Sequence, residues 1–142
     1  TAALNALAGK SADHAMEADY LSVLNRSISA QAQLTGALAG VSLVTPFRTN
    51  SALASHTLSD QLNVVAKVIA SRAALGVKRQ VFFVSLDGFD NHDGLLTKHP
   101  ELMGQLDEAL SAFYAATVEM GVQNQVTTFT MSDFGRSLQG NS

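Results

Sequence analysis

The chain of 142 residues has no cysteine and no tryptophan, only two prolines, and charged side chains at 15% of its positions. Without cysteine there are no disulfides, no thiolate metal ligands and no cysteine nucleophile. Exported bacterial proteins often lack cysteine as well, so this absence leaves the compartment open. No apolar run reaches the roughly 20 residues needed to span a bilayer. Nine Lys and Arg against twelve Asp and Glu leave a net charge of −3. The basic residues are scattered, which argues against a nucleic-acid partner. What is present is apolar: 46% hydrophobic residues rule out disorder as an overall description, and the length suits one domain. The chain opens at Thr1 inside an Ala-rich helical pattern and closes at Ser142, just past a strand-like run and a turn. It therefore reads as a piece of a longer protein.

Apolar spacing predicts a first helix capped by Asp13 and running to Gly40, with Met16, Tyr20, Val23, Leu24, Ile28 and Leu34 along it. Thr45-Pro46-Phe47 and Thr49-Asn50-Ser51 mark a loop. A second helix is expected from Thr57, with Leu58, Leu62, Val65 and Ile69 in one stripe and Gly76 at its end. Residues 80–86, Gln-Val-Phe-Phe-Val-Ser-Leu, read as a strand buried on both faces. A polar loop follows, and Pro100 suits the first position of a third helix with Leu102, Leu106, Leu110, Phe113 and Thr117 on one face. Residues 126–131 read as a second strand, and residues 132–136 as the turn after it. Strand, helix, strand predicts a right-handed parallel βαβ unit. The expected fold class is α/β, mainly helical over residues 1–76, with the βαβ unit over 77–138.

Two parallel strands would bring their C-terminal ends to one edge of the sheet, where open α/β sheets bind ligands. Asp87, Asp90, His92 and Asp93 follow the first strand, and Asp133 and Arg136 follow the second. Carboxylates gathered this closely repel unless a cation or proton lies among them. Oxygen and imidazole donors together suit zinc, manganese or iron, and magnesium where imidazole takes little part. The alternative is ordinary turn chemistry, in which Asp and Asn side chains bond their own backbone. Arg136 either faces an anionic group or pairs with Asp133 or Asp87. His14, His56 and His99 fit surface or capping roles better than catalysis. Ser85 and Ser132 stand at strand ends without a Gly-x-Ser-x-Gly elbow, and no phosphate loop or dinucleotide fingerprint is present.

The run from Lys78 through Leu86 into Asp87-Gly88-Phe89-Asp90-Asn91-His92-Asp93 resembles a signature of the domain of unknown function 1501 family. So do Ala112 through Gly121, Val126 through Thr130, and Ser132-Asp133-Phe134-Gly135-Arg136-Ser137. That family is similar to the alkaline phosphatase and sulfatase superfamily. The resemblance implies a helix-sandwiched α/β sheet, a divalent metal, and hydrolysis of a small anionic phosphate or sulfate ester. It also implies export to the periplasm or beyond. Asp90 and His92 match the family's Gly-Gly-x-Asp-Thr-His motif, a proposed metal-binding loop. Asp133 matches a further metal-binding aspartate, and Arg136 the arginine of the same turn. Asp87 stands where the family usually has glycine, and Asn91 where it has threonine. With Asp93, these form a possible second layer around the ligands. The resemblance places the first metal ligand and the nucleophile in segments that this chain does not include, so the chain alone is expected to be inactive.

Two other readings stand beside the hydrolase. One is a non-catalytic exported protein that keeps the fold and binds partners, for instance through the long first helix. The other is a helical interaction domain, favoured if residues 80–86 and 126–131 fail to pair. An exposed sheet edge would also favour self-association.

Overall fold

Regular structure between residues 14 and 136 consists of three helices, α1 (Ala15–Ala39), α2 (Thr57–Ala70) and α3 (Leu95–Glu119). The structure is a computed structural model, which describes Ala3, Ala6, Leu7, Gly9 and residues 14–136. Asp13, expected to cap α1, lies outside the described residues. His14 takes that place, its Nδ1 accepting from the Met16 amide at 3.4 Å.

The core forms where α2 meets α3. All four stripe residues of α2, Leu58, Leu62, Val65 and Ile69, are buried. They pack with Ala109, Ala112, Phe113 and Ala116 of α3, and Phe47 and Val122 close the cluster. The alanines of α3 let the two helices approach closely, while each large buried apolar side chain stabilises the fold by about 1.5–3 kcal/mol. The contribution of α1 is smaller, since none of its residues is buried. Its C-terminal end is tied to the rest where the Ser71 hydroxyl donates to the Ala37 carbonyl at 3.2 Å.

Helix α3 begins five residues before Pro100, not at it. Gly94 provides the left-handed residue before the first turn (φ 61°), and the Thr97 hydroxyl and the Lys98 amide both donate to its carbonyl. Pro100 thus sits inside the helix, where it has no amide to donate to the Leu96 carbonyl one turn back.

The expected α/β sandwich with a parallel βαβ unit is not what the chain forms. Among the described residues there is no strand and no sheet. No hydrogen bond joins residues 80–86 to residues 126–131. A strand exists only through its ladder. Here one peptide of the first run meets a side chain: Gln61 of α2 donates from Nε2 to the Ser85 carbonyl (2.8 Å) and accepts the Ser85 amide at Oε1 (3.0 Å). Val84 and Leu86 pack on the helices, whereas Val81 and Phe83 are each 91% exposed. The continuous apolar run that suggested burial on both faces is therefore covered on one face only. Residues 126–131 are covered still less, with only Val126 packed on the core and residues 127–131 exposed.

Candidate metal-binding loop

Residues 87–94 connect the first extended run to α3, and their backbone is held at several points. Gly88 adopts φ 101°, a conformation that suits glycine, and a Cβ there would meet the Leu102 side chain at 3.3 Å. Asn91 is buried; its Nδ2 donates to the Gly88 carbonyl (2.8 Å) and its amide to the Phe89 carbonyl (2.9 Å). The Phe89 ring stands edge-on to His99 of α3, with centroids 6.0 Å apart.

Arg136 completes the loop's support. Its Nη1 donates to the Asn91 carbonyl at 2.8 Å and its Nη2 to the Phe89 carbonyl, while its guanidinium lies 5.8 Å from the Phe134 ring centroid. The guanidinium is thus directed to loop carbonyls, and no ion pair joins it to Asp133 or Asp87. A link across 45 residues of sequence brings the turn after residue 131 to the loop after residue 86 without any sheet between them.

Asp90 and His92 flank the buried Asn91 and project outward. The Asp90 Oδ1 lies 3.5 Å from the His92 Nε2, with the two side chains 76% and 89% exposed. An exposed pair of this kind adds little to stability. Asp93 is drawn away to Lys98 of α3 (3.1 Å), and Asp87 and Asp133 are exposed. Among the described residues no group of three or more His, Asp or Glu side chains is arranged to hold a metal ion. The structure thus brings Asp90 and His92 together, anchors Asn91 and Arg136 as backbone supports, and leaves Asp133 outside any such group. One carboxylate oxygen and one imidazole nitrogen on a fixed loop are donors that suit zinc, manganese or iron. An ion held by two protein donors takes its other ligands from water, substrate or further protein groups.

Ser85 and Ser132 are engaged locally, Ser85 through its peptide with Gln61 and Ser132 through its hydroxyl, which donates to the Phe134 carbonyl at 2.6 Å. Two carboxylates of α3 were not singled out in the sequence, yet they organise the loop between α1 and α2. Glu108 accepts from the Thr49 amide (2.6 Å), the Asn50 amide (2.7 Å) and the Thr49 hydroxyl (3.0 Å), and pairs with the His56 Nδ1 (2.9 Å). Its side chain is only 7% exposed. Desolvation alone would raise its pKa, but the Asn50 and Thr49 amides, His56 and the Thr49 hydroxyl together pull it down to about 2. Glu119 accepts from the Thr45 hydroxyl and from the amides of Val44 and Thr45, which lower its pKa. Three helical turns separate these two acids, so they stand on the same side of α3. That spacing was readable, but the loop amides they hold were not.

A sequence profile described as "Protein of unknown function (DUF1501)" matches residues 4–142. The chain belongs to this family. The match takes in the first forty residues, which carry none of the motif runs that resemble the family. No curated protein matches the chain, and no solved structure does.

Proposed function

We propose that this DUF1501 chain carries a metal-binding loop of an exported, metal-dependent phosphate or sulfate ester hydrolase related to the alkaline phosphatase and sulfatase superfamily. The observation that supports this reading is the loop itself: its backbone is tied down by Asn91, Phe89 and Arg136, yet Asp90 and His92 are displayed to solvent at 3.5 Å from each other. Asp90 and His92 would be the primary donors, and Asp133, on the turn that carries Arg136, the further candidate. Arg136 acts as a positioning residue for the loop. A divalent ion at such a site supplies Lewis-acid polarisation of an ester oxygen. The nucleophile lies outside this chain, and the setting is the periplasm or the exterior.

Calorimetric titration of the chain with zinc and with manganese tests this. Saturable binding at one equivalent that weakens at least tenfold in Asp90→Asn and in His92→Gln is the expected result. Equal affinity in the variants would contradict it. A longer protein containing the chain would then be assayed on phosphate and sulfate esters.

A second reading, a non-catalytic helical interaction protein, is favoured by one observation: residues 80–86 and 126–131 do not pair and leave Val81, Phe83, Phe129 and Met131 exposed. A titration without metal binding in any of the three proteins would support that reading.

A further inference from the structure

Within residues 79–87, Ser85 alone has its backbone groups bonded by another described residue. Exposure alternates with a period of two: Gln80, Val84 and Leu86 are partly buried and Phe82 is the more covered of the two Phe residues, while Arg79, Val81, Phe83, Ser85 and Asp87 are exposed. This is the signature of extended backbone. In such backbone each residue's N–H and C=O point to one edge, and those of the next residue to the other. Ser85 directs both groups to Gln61. Phe82 and Val84 therefore direct theirs to the opposite edge, where no described group bonds them.

We propose that this edge pairs antiparallel with the same segment of a second copy of the chain, centred on Phe83. In that register Phe82 and Val84 of one copy form hydrogen-bonded pairs with Val84 and Phe82 of the other. Phe83 meets its own counterpart in the closer, non-hydrogen-bonded position. The charge pattern selects the register. Arg79 of each copy stands opposite Asp87 of the other, so symmetry gives two opposite-charge pairs at the two ends of the ribbon. Sliding the pairing by two residues in one direction sets Asp87 against Val77; in the other it sets Asp87 against Val81 and Lys78 against Asp90, but Asp90 lies past Gly88, whose φ of 101° ends the extended run, so only the Phe83-centred register keeps two charge pairs within it. A basic start and an acidic end on one extended run complement themselves only when antiparallel, which makes a second copy the fitting occupant. The interface is isologous and closes as a dimer.

The absence of cysteine makes the test direct. Single variants Phe83→Cys and Val81→Cys are oxidised mildly, with circular dichroism checking that each retains its helices, and the parent chain is followed by sedimentation. The proposal expects a concentration-dependent dimer and disulfide formation at position 83 at least about tenfold faster than at 81, because only position 83 faces itself. Arg79→Asp should weaken the dimer roughly tenfold, and Arg79→Asp with Asp87→Arg should restore it. A parent chain that stays monomeric at every concentration, or aggregates with equal cross-linking at both positions, would overturn the proposal.

Discussion

Glu108 concentrates more of the fold's polar structure than any motif residue does. It is a nearly buried carboxylate on α3 that holds two consecutive amides, a hydroxyl and an imidazole from the preceding loop. Removing it leaves those donors to be rehydrated in a partly closed site. Glu108→Ala is expected to lower stability by about 2 kcal/mol, seen as a lower urea midpoint at unchanged slope. The pH dependence has a definite sign. Its folded pKa of about 2 lies below the ordinary 4.5, so the contribution is complete above about pH 4.5 and is lost as the pH falls toward 2. Glu119, also lowered, acts in the same direction. Urea midpoints measured across that window should fall less steeply in Glu108→Gln than in the parent chain. Equal slopes would show that Glu108 does not carry the effect.

At the level of elements, α2 and α3 were legible and the extended runs were not. The stripe Leu58, Leu62, Val65 and Ile69 has helical spacing and is buried as that spacing requires. Pro100 misled the start of α3, because a left-handed Gly94 and the Thr97 hydroxyl begin the helix five residues earlier. Residues 80–86 have a strand's composition, but composition does not supply a partner, and among the described residues the ladder-like bonds come from the Gln61 side chain alone. Gln61→Ala should therefore speed hydrogen exchange at the Ser85 amide and cost about 1 kcal/mol. The loop motif was readable as Asp90 and His92, whereas its dependence on Arg136 was not, since that bond spans 45 residues. Arg136→Ala is expected to weaken zinc binding about tenfold or more in calorimetry while leaving helical content unchanged. Unaltered affinity would separate Arg136 from the loop's function.

For the whole molecule, the family assignment rests on nearly the entire chain, and the described core is a two-helix pack with a third helix lightly attached. No helix among the described residues is long and apolar enough to cross a membrane. The functional account rests on whether a fixed loop that displays an oxygen and a nitrogen donor binds an ion. Metal content by plasma mass spectrometry tests that most directly, on protein purified without chelator or metal-affinity resin, beside the double variant Asp90→Ala with His92→Ala. Zinc, manganese or iron near one equivalent per chain is expected in the parent, and its loss in the variant. A parent without metal, or a variant that retains it, would contradict the assignment of the loop.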